Sequence, residues 1–375
     1  MNKLITFLAL FLLISANLKA QKLASTKGID KEALQRYESF LNSEIDNGNI
    51  AGAVSLISLG DSIVHHKAMG YSHLAEKDPM TTDHIFFIQS MTKPIVSTAM
   101  MILYDEGHFL LDDPVSKYLP KFEELTVLKK NEDGTYSQEE LNNPIRIWHL
   151  LSHTAGFSHG LGTSEYDKKV YHALYNEKHE TIHSRVDALL EFPLLDEPGK
   201  QWIYSASPDI LAVLIEKFSG ISCDQFLQTR IFEPLGMSST GYNVSLARNH
   251  LVAGLHQAGE NGKLISIPDW NSAQGNTVYG GTHGLYSTAA DYAKFCRLIM
   301  DDGTYNDQRI ISHKSVDIMT ENHIVGLAYS PGLGFGLGFG LKTDVAASKL
   351  IGSEGTVYWS GCSTPIFLLT QPKTS

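Results

Sequence analysis

Cysteine is scarce in this sequence, and basic residues are outnumbered by acidic ones. Three cysteines, Cys223, Cys296 and Cys362, stand in 375 residues. An odd, widely spaced set does not frame a fold in disulfides, and its spacing is not that of a zinc site. Lys and Arg number 30 against 41 Asp and Glu, a formal net charge of -11. No basic stripe stands out, which argues against a nucleic-acid partner, and the acidic balance reads as solubility. Beyond the first twenty residues no apolar run is long enough to cross a membrane. Repeats and low-complexity tracts are missing. His65, His66, His149, His153 and His159 are suggestive by number, but no H-E-x-x-H or comparable spacing appears. They are read as surface or capping histidines, with no metal and no cofactor expected.

Hydrophobic residues make up 43% of the chain and charged residues 19%, ordinary values for a globular protein with a full core. The start, MNKLITFLALFLLISANLKAQ, pairs Lys3 with an apolar run and a small-residue site before Gln21. Residues 1–20 therefore read as a signal peptide cleaved after Ala20. No cysteine follows the apolar run, so no lipid anchor is expected, and the mature chain is expected in the periplasm or outside the cell.

Residues 30–46 place Leu34, Tyr37, Leu41 and Ile45 on one helix face. AVSLISL, GDS and IVHHKAMG read as a β-hairpin. Ser90 to about Asp105 is apolar on most sides and reads as a buried helix stopped by Gly107. A mostly helical stretch follows, with a polar insertion near KKNEDGTYSQEELNN, then a helix from Pro208 to Phe218 ending at Gly220. After about residue 245 strands return. Strands at both ends around helices predict an α+β fold: a lobe built from about 30–88 and 245–375, and a mostly helical lobe at about 89–244.

Within the buried helix, QSMTKP places Ser90 and Lys93 three residues apart, hence on one face. Pro94 is tolerated only in a first helical turn, so the helix starts near Ser90. There the helix dipole and partial burial both disfavour a charged lysine. A lysine that is neutral near pH 7 is a base, and a base beside a serine makes a nucleophile. Taken alone, S-x-x-K is more often a helix cap with a solvated lysine, and the surrounding sequence reverses that reading. IQSMTKPIVSTAMMILYDEGHFLLDDPVSKYLPKF, IRIWHLLSHTAGF, EPGKQWIYSASPDILAVLIEKFSG, IFEPLGMSSTGY and GGTHGLYSTAADYAKF resemble, in this order, blocks of the serine β-lactamase and penicillin-binding protein superfamily. The branch is that of class C β-lactamases, DD-peptidases (S12-like) and family VIII esterases, and the likeness runs from about residue 30 to 361.

The resemblance implies a single β-lactamase-like catalytic domain over 21–375, an antiparallel sheet flanked by helices with an inserted helical lobe, and the active site between the lobes. It implies Ser90 as the acylated nucleophile, Lys93 as its activating partner, and Tyr204 as a proton shuttle aided by the cationic lysine. Trp359-Ser360-Gly361 would form the third motif beside the substrate. The backbone N–H groups of Ser90 and Cys362 would form the oxyanion hole. His159, Tyr279 and His283 are further candidates for the pocket wall. Two departures bear on substrate. The tyrosine motif has Ala206 where β-lactamases carry asparagine. The third motif has Trp359 where a lysine or histidine would bind a substrate carboxylate. Both point to a carboxylesterase acting on small neutral esters. β-Lactamase or D-Ala-D-Ala carboxypeptidase activity on amides is the alternative, and a non-catalytic homologue is the reading from another class.

The end also departs. The family continues past the third motif with two strands and a helix, whereas this chain stops about fourteen residues after Gly361. With one choice of codons, moving two bases along turns STPIFLLTQPKTS into LHPHIFTDPAKNK, which restores the family's strand and its Asp-Pro. The expectation is a C-terminal strand and helix cut short, through a frameshift.

Overall fold

Asp30 caps the first described helix, Lys31–Asp46, accepting the Glu32 and Ala33 N–H groups at 2.9 and 3.1 Å. This computed structural model describes residues 29–260, 262–267, 272–362 and 366–370. The leader at 1–20 lies outside them, as do 363–365 and 371–375 of the stretch read as frame-shifted. The chain divides into two units, one built from 29–84 with 254–267, the other from 85–253 with the residues from 272 onward.

In the first unit, Leu34, Leu41 and Ile45 are half-buried, while Tyr37 stays exposed. The helix packs on a hairpin of Gly52–Leu59 and Ser62–His73, antiparallel around the Gly60-Asp61 turn that the sequence predicts. A β-bulge at Ile57/Ser58 shifts its register near the tip. A second hairpin, Leu255–Ala258 with Leu264–Ile267, completes the unit. The hairpin core holds a polar cluster: Ser55 Oγ lies 2.6 Å from His65 Nε2, and Glu38 sits 3.6 Å from His65 Nδ1. Glu38 also accepts from Lys67 at 2.6 Å.

In the second unit the helix Thr92–Asp105 is buried without interruption from Thr92 to Leu103. Each large apolar side chain hidden there, such as Ile95, Met100 or Met101, stabilises the fold by about 1.5–3 kcal/mol. It packs on the helix Ser207–Ser219, which carries Pro208 in its first turn and stops where Gly220 takes φ +73°, a conformation only glycine adopts freely. The helices Ile182–Leu190, Ala289–Met300 and His313–Thr320 belong to the same unit. Its four-stranded antiparallel sheet runs in chain order through Leu333–Phe335, Gly340–Lys342, Val357–Ser360 and Ile366–Leu369. The last strand, within the stretch read as frame-shifted, sets Phe367 opposite Trp359.

One expectation is corrected. KKNEDGTYSQEE is not a polar insertion in helical chain but part of a β-hairpin, Thr126–Lys130 with Tyr136–Glu140. Asp133 builds its turn by accepting both the N–H and the hydroxyl of Thr135.

Candidate active site

Short hydrogen bonds fix Ser90 from both sides. Before it, Phe86–Phe87 pairs with Tyr286–Ser287, and the Ile88 N–H donates to the Leu285 carbonyl at 2.9 Å. After it, the Tyr292 hydroxyl donates to the Met91 carbonyl at 2.9 Å. Ser90 occupies a short 3-10 turn, Gln89–Met91, that feeds the Thr92 helix, so the α-helix begins two residues later than the sequence suggests. Pro94 is still in its first turn. Gln89 takes φ +47°, a left-handed conformation that costs a residue with a side chain on the order of 1 kcal/mol.

Two donors converge on the half-buried serine. Lys93 Nζ lies 3.1 Å from Ser90 Oγ, and the Tyr204 hydroxyl donates to the same oxygen at 2.7 Å. Lys93 also donates to the Thr282 carbonyl at 2.8 Å, and its ammonium faces the Tyr204 ring 4.6 Å from the centroid. Burial lowers the Lys93 pKa to about 7; Asp209 pulls it up and Arg185 pushes it down. At that value a good fraction of the lysine is free amine at neutral pH, within reach of the serine proton.

Of the two forms the expected shuttle could take, Tyr204 has the environment of the one that works through the lysine. Burial pushes its phenol well above the ordinary range, more than the hydrogen bond to Ser90 lowers it, and nearby Cys362 raises it further. The facing lysine does not produce a phenolate; the group is a neutral phenol, suited to giving a proton to a strongly basic oxygen. Its ring is wedged among His159, stacked with centroids 5.0 Å apart, His153 at 5.1 Å, Trp202 at 6.1 Å and Trp359 at 5.8 Å.

His153 and His159 were read as surface or capping groups, and both are buried. His153 takes φ +57° and sits 2.9 Å from Ser205 Oγ, which bonds Ser207 Oγ at 2.8 Å. Its carbonyl accepts the Ile203 N–H. It thus holds both sides of the Tyr204 backbone. His159 Nδ1 and the Tyr175 hydroxyl share a hydrogen bond at 3.3 Å. Burial, with Lys93 nearby, holds both imidazoles neutral. His65 is buried too, in the Ser55 cluster, whereas His149 does cap, its Nδ1 accepting the Arg146 N–H. Among the described residues no three His, Cys, Asp or Glu side chains gather as metal ligands.

Of the pocket candidates, His283 packs on Tyr175 and Phe87, with burial lowering its pKa to about 4. Tyr279 packs on Tyr242 instead. Trp359 lies on the strand Val357–Ser360 beside the Ser90 turn and packs on Tyr204 and Phe335. Ser360 and Cys362 are exposed and Gly361 half-buried. Ala206 is fully buried, and its carbonyl accepts the Thr282 hydroxyl. Sequence reasoning missed Arg185, Asp209 and Thr282, which stand behind Lys93. The one local signal was the glycine pair before Thr282, in GGTH.

A protein-family model described as Beta-lactamase matches residues 34–372. Protein Rv1367c of Mycobacterium tuberculosis is 29% identical over 88% of this chain and 84% of its own length. Esterase EstB of Burkholderia gladioli is 24% identical over 87% and 84%. The solved structure of EstCE1, a hydrolase with promiscuous acyltransferase activity, superposes with a TM-score of 0.76 at 24% identity, covering 90% of each chain. With the model spanning nearly the whole described chain and the fold shared, this chain belongs to the β-lactamase family and is a serine hydrolase.

Proposed function

We propose that this protein is a carboxylesterase on small neutral esters, acting through an acyl-enzyme on Ser90. The observation that carries the reading is the convergence on one serine oxygen of an amine titrating near 7 and a neutral phenol. Free Lys93 takes the Ser90 proton as Oγ adds to the ester carbonyl, and the carbonyl electron pair moves to oxygen. The backbone N–H groups of Ser90 and Cys362 receive that charge. Collapse breaks the carbon–alkoxide bond, Tyr204 gives its proton to the departing alkoxide, and the Lys93 ammonium restores it. Water then releases the acid by the same steps in reverse order of groups.

What surrounds the serine supports that substrate class. Trp359 supplies no cation to a substrate carboxylate, Ala206 supplies no amide, and His153, His159 and His283 are held neutral. The likeness to EstB supports the same class. Purified protein is mixed with a short-chain p-nitrophenyl ester and, separately, a chromogenic β-lactam, and the quenched enzyme is digested for mass spectrometry. Ester turnover with an acyl adduct on the peptide containing Ser90 is expected. Faster turnover of the β-lactam would overturn the ester preference, and an adduct on another residue would overturn the assignment of Ser90.

A further inference from the structure

Behind Lys93, on the side away from Ser90, the structure holds an ion pair that the steps above do not use. Arg185, on the helix Ile182–Leu190, places Nε 2.9 Å from Asp209 Oδ2 at the start of the Ser207 helix. The two side chains are only 8% and 2% exposed. At that distance the two groups form a close ion pair shut off from water. The other carboxylate oxygen, Asp209 Oδ1, accepts the Thr282 N–H at 2.8 Å, and the Thr282 carbonyl accepts Lys93 at 2.8 Å. One residue's backbone thus joins the ion pair to the lysine.

That backbone is clamped. A Cβ on Gly280 would fall 1.8 Å from Arg185 Nη2, and one on Gly281 would fall 1.9 Å from the Pro208 carbonyl. The Tyr242 hydroxyl holds the Gly280 carbonyl at 2.7 Å. Only two glycines let the segment pass between the pair and the helix start, close enough to present Thr282 to both.

We propose that Arg185 and Asp209 are a positioning pair that fixes Lys93 through Thr282 and sets how readily the lysine gives up its proton. Burying two opposite charges together costs less than burying either alone, and each charge then acts on the lysine with opposite sign. Burial alone would raise the Asp209 carboxyl, but Arg185, His283 and the Thr282 N–H hold it below the usual carboxylate range, so the anion is kept. Among the described residues, the other ionisable groups that act on or are acted on by Lys93 are neutral at the working pH: His153, His159 and His283 as free imidazoles and Tyr204 as a phenol. Tyr175, a neutral phenol, faces the pair, its ring centroid 6.0 Å from the Arg185 guanidinium carbon.

The inference rests on Lys93 being the base for Ser90, and its test is arranged to separate the two. Arg185→Gln, Asp209→Asn and the double variant are compared by the acid limb of kcat/KM and by NMR titration of the Lys93 side chain, assigned by its loss in Lys93→Met. Removing the cation shifts both limb and titration to higher pH, and removing the anion shifts them to lower pH, each by about one unit. The double variant returns toward the parent. Where one single variant does not fold, the step from the other to the double must show the shift of the charge removed. Unmoved titrations, or shifts of one sign for both variants, overturn the proposal. So does a folded double variant with an unmoved titration when neither single folds, since the pair would then act on stability alone. If the NMR titrations move as stated while no ester is turned over, the proposed reaction fails and the positioning role stands.

Discussion

Ser55 and Ser90 each hydrogen-bond a buried base, and the geometry favours only Ser90 as a nucleophile. Ser55 lies closer to its base, 2.6 Å from His65, and has a carboxylate beyond it in Glu38, in the manner of a serine–histidine–acid relay. Ser90 is 3.1 Å from Lys93, and the acid behind that lysine, Asp209, reaches it only through the Thr282 backbone. Yet Ser55 sits mid-strand opposite Lys67, 8% exposed. Ser90 is half-buried on a turn that opens a long helix, with a second proton donor on the same oxygen. A strand interior gives its N–H groups to neighbouring strands, whereas a helix start leaves them free for a developing oxyanion. The lesson is that a serine–base contact is cheap, and the backbone that carries it decides what it can do.

The comparison breaks most visibly in Ser90→Ala set beside Ser55→Ala. The first is expected to lower ester kcat by on the order of 10³-fold or more, the second to leave it within about twofold; equal losses would erase the distinction. Next in size, Lys93→Met should cost about 10²–10⁴ in kcat/KM and remove the rise of activity with pH. In the parent that rise is centred near pH 7, where Lys93 loses its proton, activity being present above and lost below. A parent profile flat from pH 5 to 9 would deny Lys93 the role.

The smaller effects fall on stability. Ala206→Asn, the change that would restore a β-lactamase-like motif, puts extra atoms at a site with no exposure and should cost about 1–3 kcal/mol of unfolding free energy. A gain of β-lactam turnover without loss in melting temperature would contradict that packing. Smallest of all, His65→Phe should cost about 1 kcal/mol through the hydrogen bond lost by Ser55, seen by chemical denaturation, with ester kinetics unchanged.

How much of this was legible depended on distance along the chain. Ser90 and Lys93 are three residues apart, so helix geometry alone puts them on one face. Tyr204 lies 114 residues from Ser90, and only the resemblance connected them. The Arg185–Asp209 pair was illegible because a charge on a helix looks alike in sequence whether it faces water or another charge; what buries it is the approach of Gly280 and Gly281 from about seventy residues further on. The Thr126–Glu140 hairpin was missed because its faces are mostly polar and carry no alternation of apolar residues, although Asp133-Gly134 is a turn signal in its own right. His65, His153 and His159 were misjudged on number and spacing, which say nothing about burial, whereas His149 caps a helix as expected.

Gln89 gives the last lesson, about mutation rather than mechanism. A side chain held at φ +47° immediately before the serine is a place where the chain is not in its own preferred conformation. In a saturation scan, Gly at 89 is expected to relieve the backbone while giving up the contacts of a buried side chain, and to score poorly for turnover, because it also frees the turn that aims Ser90. A selection for catalysis would therefore keep a side chain where backbone preference alone would place glycine.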